Sequence, residues 1–184
     1  TGNCRGKAGH MLVGDASVKA LGGGGIVGGG VPVALGYAMA FQTLGTKQVA
    51  VAFMGDGATH EGSVHESMNM AAINNYPIIF LCENNYYGIS YPIKNLKIKD
   101  VAERANAYGM PGIVVDGSDV LAVYEATQEA VTRARNGDGP TLIDAKVFLN
   151  GPSALGLKTD YLKAEYFEEA EKQDCIAKYG KYLI

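Results

Sequence analysis

Apolar residues along this chain fall into short unbroken runs separated by stretches of helical spacing. Gln48 to Met54 is one such run, and Pro77-Ile-Ile-Phe-Leu-Cys82 is another. Runs of this kind, bounded by turn residues, read as strands buried on both faces. Gly112-Ile-Val-Val-Asp116 and Thr141 to Phe148 supply two more. Between the runs the period changes. From Gly25 to about Leu44, Val31, Ala34, Leu35, Ala38, Met39 and Leu44 recur at helical spacing. Thr59 and Glu61 suit the start of a second helix, which runs to about Asn74-Asn75. Asp100 to Tyr108 reads as a short helix, and Asp119 caps another that ends near Asn136 at Gly137. A charged final helix is expected over roughly Lys163 to Leu183. The first 25 residues are glycine-rich and irregular, and Asn84 to Lys99 is a long loop. Strand–helix alternation of this type predicts an α/β fold, a parallel sheet with helices on both faces. No repeat or linker divides the chain, so residues 1–184 read as a single domain.

Parallel strands set the turns at their carboxyl ends side by side, where open α/β sheets bind ligands. Two of these turns carry oxygen donors. Gly55-Asp56-Gly57 follows the first run, and Glu83-Asn84-Asn85 follows the second. A carboxylate and an amide oxygen are hard donors suited to Mg²⁺ or Ca²⁺, and such sites often complete their shell with phosphate oxygens. A backbone carbonyl in Tyr86-Tyr87-Gly88 lies in reach of the same shell. Glu66 and Asn69 stand three apart and share one face of the intervening helix. The neighbouring Met68, Met70, Ala71 and Ala72 place part of that face in a buried setting, against the turn or another subunit.

Composition narrows the classes. With 47% hydrophobic and 19% charged residues the chain is globular rather than disordered. A net charge of −3 leaves no basic footprint for nucleic acid. No apolar stretch reaches the roughly 18 residues of a membrane span, and the start does not resemble a signal peptide. Cys4, Cys82 and Cys175 are scattered, which argues against a disulfide framework or zinc knuckle and for a reducing, cytoplasmic setting. The 25 glycines crowd towards the start and include a GxGxxG match at Gly23, Gly25 and Gly28. No good strand precedes it and no acid follows at the required distance, so a nicotinamide site is not expected. The glycines serve either close backbone approach of a cofactor to a helix N-terminus or helix–helix packing. There is no GxxxxGK[ST] loop and no GxSxG elbow. His60 and His65 lie off the spacing of a zinc helix, whereas His10, in the glycine-rich entry, is a candidate to approach a ligand.

In chain order, Gly55-Asp-Gly-Ala-Thr-His-Glu-Gly62, Glu66, Asn69-Met-Ala-Ala72, Pro77, Glu83-Asn-Asn85 and Tyr87-Gly-Ile-Ser90 resemble one family closely. It is the α subunit of the first component of 2-oxo acid dehydrogenases, with pyruvate and acetoin dehydrogenases the best fit. Gly6-Lys-Ala-Gly-His-Met11 and the segment from Gly22 to Pro32 resemble it too, and the likeness covers roughly residues 2–148. The resemblance implies the phosphate-binding half of the thiamine diphosphate-binding fold. Asp56, the side chain of Asn85 and the backbone carbonyl of Tyr87 would bind Mg²⁺ together with diphosphate oxygens. Gly57 and Ala58 would offer backbone to the diphosphate, and Gly25 and Val27 would meet the aminopyrimidine through backbone. The cofactor would sit between this chain and a β-type subunit, in an α2β2 assembly. The reaction implied is oxidative decarboxylation of a pyruvate-like 2-oxo acid, or cleavage of acetoin, with acyl transfer to a lipoyl-bearing acyltransferase. His10 is the candidate catalytic residue that this chain itself supplies.

The chain also departs from the pattern. Where the family carries an R-x-x-G-H-S stretch after the last strand, this sequence reads Phe148-Leu-Asn-Gly-Pro-Ser153, which puts Pro152 at the histidine position. Relative to the family it starts late and stops early, as a fragment, a divergent member or a chain completed by another polypeptide would. Two further readings therefore stand beside the first: a transketolase-like transferase using the same cofactor, and a non-catalytic cofactor-binding or scaffolding subunit.

Overall fold

A computed structural model describes residues 3–152, 156 and 158–184 of the chain. Its centre is a four-stranded sheet made of β1 (Ala50–Gly55), β2 (Ile78–Asn84), β5 (Gly112–Asp116) and β6 (Thr141–Lys146), all parallel and in the order β1-β2-β6-β5. A small antiparallel pair, β3 (Tyr87–Gly88) and β4 (Tyr91–Pro92), stands apart from it. The helices are α1 (Gly30–Thr43), α2 (Gly62–Asn74), α3 (Val120–Asn136), α4 (Ala164–Lys172) and α5 (Cys175–Leu183).

The inner strands β2 and β6 are buried almost throughout, whereas β1 alternates between buried and exposed positions. Unbroken apolar runs therefore mark the middle of the sheet, as both-face burial requires. On one face Ala52, Met54, Phe80, Cys82 and Leu142 pack against Leu35 and Ala38 of α1, Val64 and Met68 of α2, and Val101 and Ala105 of a 3-10 helix over Val101–Tyr108. On the other, Ile79, Ile143 and Ala145 meet Ala126 and Ala130 of α3. This is the expected helices-on-both-faces arrangement. The second face is incompletely covered, since Val51 and Phe53 of β1 lie 37% and 65% exposed.

Local chemistry sets most boundaries. Asp119 caps α3 by accepting from the amides of Leu121 and Ala122, and Gly137 ends it in the left-handed conformation. Asn75, also left-handed, ends α2. Asp100 and Glu103 form a capping box at the 3-10 helix.

Several expectations need correction. The helix expected from Gly25 begins only at Gly30, because the glycines before it form a turn that includes Gly28 at φ +73°. The strand expected to reach Phe148 ends at Lys146. The single final helix is two, broken at Gln173, where the Asp174 side chain accepts from the amides of Ile176 and Ala177 and starts α5 afresh. An internal aspartate followed by a periodic run was the missed signal for that restart. No helix among the described residues is long and apolar enough to cross a membrane.

Candidate functional site

The pairing of β1 with β2 sets Gly55 opposite Glu83, so Asp56 and the Asn84-Asn85 turn emerge together at the carboxyl edge of the sheet. Asp56 is 1% exposed and leads into a 3-10 turn over Gly57–His60. That turn is pinned by the hydroxyl of Thr59, which donates to the Asp56 carbonyl at 2.6 Å. The side chain is less well served. Among the described residues its Oδ2 is buried without a hydrogen-bond partner. Burial holds the carboxyl above the usual carboxylate range, and the Gly57 amide offsets this only in part. A buried carboxylate oxygen left unpaired is costly, and a cation beside it would remove that cost.

The second turn is held by its own amides. Asn84 Oδ1 accepts from Tyr86 N at 3.1 Å, and Asn85 Oδ1 accepts from Tyr87 N at 3.0 Å. Tyr86 sits at φ +70°, a conformation that a bulky residue keeps only where its surroundings fix it. The two turns touch. A Cβ on Gly57 would lie 3.1 Å from the Cα of Gly88. Only glycines allow that approach, and it brings the Asp56 turn against the Tyr87–Gly88 strand.

Behind the second turn lies a buried polar network. Asp144 on β6 is fully buried. Its Oδ1 accepts from Asn84 Nδ2 at 2.9 Å, and its Oδ2 accepts from Val101 N at 2.8 Å and Lys146 Nζ at 2.7 Å. Lys146 also reaches Asp100 at 3.1 Å. Burial opposes the charge on Lys146, but the Asp144 and Asp100 carboxylates outweigh it and hold the ammonium above its ordinary value. Cys82, register partner of Asp144, has its thiol pushed far up by burial and by that carboxylate. It is a core residue, not a nucleophile.

A second cluster flanks the Asp56 turn. Arg104 lies 3.4 Å from His65 Nε2 and 3.5 Å from His60 Nδ1, and His65 Nδ1 lies 2.5 Å from the Tyr108 hydroxyl. Guanidinium only donates, so the ring nitrogens that face Arg104 meet it as acceptors. Burial first, and Arg104 second, lower the pKa of each.

Among the residues singled out by sequence, the structure brings together Asp56, Gly57, Ala58, Asn85 and Tyr87. Gly25 and Val27 lie exposed in the turn before α1. The next glycine, Gly28, packs against Glu61 and Val64 at the start of α2, so the glycine segment borders the Asp56 turn. His10 is exposed in a 3-10 turn over His10–Leu12, and no hydrogen bond among the described residues ties it to Asp56. Glu66 and Asn69 are exposed with Met70 and Ile73, so that face of α2 is not buried within this chain; Met68 and Ala71 point the other way, into the core. Pro152 is exposed, and Ser153 beside it lies outside the described residues. Asp144, Lys146 and Tyr166 escaped the sequence reading. A charge inside the otherwise apolar run Thr141 to Ala145 was the visible signal for Asp144.

Comparison with known proteins decides the family. The profile of the family described as dehydrogenase E1 component matches residues 1–184. The chain belongs to that family. It is 45% identical, over all of its length, to the α subunit of acetoin:2,6-dichlorophenolindophenol oxidoreductase of Bacillus subtilis, of which it covers 56%. To the α subunit of 3-methyl-2-oxobutanoate dehydrogenase of Mycobacterium tuberculosis it is 46% identical over 82% of the chain, covering 41% of that protein. To the chloroplastic pyruvate dehydrogenase E1 component subunit alpha-3 of Arabidopsis thaliana it is 39% identical over its whole length, covering 45%. The chain thus spans about half the length of these E1 relatives.

Proposed function

We propose that this chain is the diphosphate-binding part of an E1 α-type subunit that uses thiamine diphosphate and Mg²⁺ and works with a β-type subunit. The observation that carries this reading is Asp56 Oδ2, buried without a partner among the described residues, beside a turn that offers amide and carbonyl oxygens. Mg²⁺ takes hard oxygen ligands and keeps part of its shell for phosphates. Asp56, Asn85 and the Tyr87 carbonyl would hold it, with Gly57 and Ala58 lending backbone to the diphosphate. Gly25 and Val27 would meet the aminopyrimidine. When bound, thiamine diphosphate would supply the carbanion and electron sink needed to cleave a bond next to a carbonyl carbon.

The chain's own groups have simpler duties. Asp56 supplies the one fully buried ligand charge. The Asn84–Tyr87 turn presents neutral oxygens, and the Gly57–Gly88 contact keeps both turns close enough to share one ion. The substrate we propose is acetoin or a pyruvate-like 2-oxo acid, with the acyl group passed to a lipoyl-bearing acyltransferase. Support comes from the relatives' names, which span acetoin, 3-methyl-2-oxobutanoate and pyruvate enzymes at similar identity. One observation favours a second reading, a cofactor-binding subunit without turnover: Pro152 stands exposed after β6 and offers no proton or hydrogen-bond donor from its side chain.

The test is calorimetric titration of the assembled α–β complex with thiamine diphosphate, with and without Mg²⁺. Mg²⁺-dependent binding that Asp56→Ala abolishes is expected, while binding indifferent to both would remove the metal site. Assays of the same complex with acetoin and with pyruvate, using an artificial electron acceptor, then separate turnover from binding alone.

A further inference from the structure

We propose that Asp144 is a positioning residue for the metal: it fixes the Asn84–Tyr87 turn in the shape that presents Asn85 and the Tyr87 carbonyl. This rests on the metal reading above and deepens it. A buried charge on a central strand needs a reason, because an apolar residue of similar size would cost less there. The ion pair of Asp144 with Lys146 does not supply that reason by itself. Lys146 already has Asp100 at 3.1 Å, whereas Asp144 spends its other oxygen on Asn84.

The geometry runs in one direction. Asp144 Oδ1 takes Asn84 Nδ2 at 2.9 Å, which fixes which way the Asn84 carboxamide faces. Its oxygen must then point to Tyr86 N, 3.1 Å away. That bond pins Tyr86 at φ +70°, a residue that would otherwise relax out of the left-handed region. Tyr86 is the hinge between the two proposed ligands, so its φ decides where the Tyr87 carbonyl lies relative to the Asn85 side chain. Meanwhile Asp144 Oδ2 accepts from Val101 N at 2.8 Å and Ala102 N at 3.4 Å. The carboxylate is thereby braced from a separate element and does not follow the turn if the turn moves. Lys146 is shared between Asp144 at 2.7 Å and Asp100 at 3.1 Å.

The experiment uses the assembled α–β complex with thiamine diphosphate at saturation and Mn²⁺ as the probe, its binding read by electron paramagnetic resonance. Thermal unfolding of the metal-free complex is recorded in parallel. Asp144→Asn sets an amide donor against either the Asn84 donor or the Val101 amide. It is expected to weaken Mn²⁺ by about 10- to 100-fold, the range seen when groups that hold a metal ligand are removed. The exchange Asn84→Asp with Asp144→Asn restores a donor facing an acceptor and is expected to recover most of that loss. A merely structural link would lower the unfolding temperature in both variants and leave Mn²⁺ affinity unchanged, which would overturn the proposal. If Asp144→Asn does not assemble, Asn84→Ala asks the same question with Asp144 left in place. Expected there is a similar weakening, and unchanged affinity would count against the proposal. Wild-type complex that binds no Mn²⁺ would overturn the metal reading itself. Wild-type binding that none of the variants alters would overturn only the role of Asp144.

Discussion

The hydroxyl of Tyr166 donates to the carbonyl of Asn85 at 3.0 Å and accepts from Leu149 N at 2.8 Å. One phenol thus joins α4, the segment after β6 and the turn after β2. Its ring packs edge-on to Tyr87 at 5.7 Å and against Phe148 at 5.3 Å. The turn that carries Asn85 is therefore clamped from the carboxyl-terminal part of the chain as well as from the sheet. Tyr166→Phe keeps the rings and removes both bonds. A lost pairing of this kind costs about 1 kcal/mol, or roughly fivefold in an equilibrium constant. Thiamine diphosphate should bind about that much more weakly by calorimetry, and amide exchange over 86–88 should quicken. Unchanged exchange there would show that the sheet alone holds the turn.

Asp56→Asn should separate stability from binding. It removes a carboxylate that burial disfavours, so the metal-free protein should unfold at a higher temperature than wild type, by about 2–4 °C for each kcal/mol gained. Mg²⁺ should raise the wild-type unfolding temperature and leave the variant unmoved. A variant less stable than wild type without metal would mean that Oδ2 has a partner in solution.

Two glycines should behave oppositely. Gly57→Ala forces a Cβ to 3.1 Å from the Gly88 backbone, which cannot yield as a side chain would. Strain of this kind costs about 1–3 kcal/mol, and the shift should fall on the site, weakening Mg²⁺-dependent binding at least in proportion. Gly36, inside α1, has no described residue within 4 Å of an added Cβ outside its own helix backbone. Gly36→Ala should stabilise by about 0.5–1 kcal/mol through helix propensity and leave binding alone. Urea unfolding of both variants measures the contrast.

The pairing of Arg104 with His60 and His65 should show in the pH dependence of stability. Both imidazoles have pKa values below the ordinary 6.5 in the folded chain, through burial and then Arg104. The unfolded chain therefore binds protons first as pH falls, and stability should decline from about pH 6.5 downward through the folded values. Glu61 opposes the shift at His60 without reversing it. Arg104→Met removes the charge that faces both rings, so the slope in thermal unfolding between pH 7 and 5 should flatten. A slope that Arg104→Met leaves unchanged would assign it to other groups.

The candidate site was legible where chemistry is carried by contiguous residues. Gly55-Asp56-Gly57 and Asn84-Asn85 stand out because glycine and amide residues end apolar runs, and the parallel sheet follows from strand–helix alternation. The bracing was not legible. Asp144 meets Asn84, and Tyr166 meets Asn85, through contacts between residues far apart in sequence. No local period encodes such contacts. The start of α1 was misplaced because glycine propensity and apolar spacing disagree over 25–30, and backbone freedom won. Fusing α4 with α5 had a similar origin, since the charged periodicity continues across a break that one capping aspartate creates.

The parallel ladder of β1 with β2 acts as a ruler. Each residue added to or removed from either strand would slide one oxygen donor past the other by about 3.3 Å and turn its side chain to the opposite face. The α2 crossover does not set that register, although its Val64, Met68 and Ala71 pack in the core. Engineered insertions within Ala50–Gly55 or Ile78–Asn84 should therefore abolish Mg²⁺-dependent binding, whereas one at Asn75-Tyr76, where Gln42 donates to the Asn74 and Asn75 carbonyls, should lower stability and leave the two donors in register.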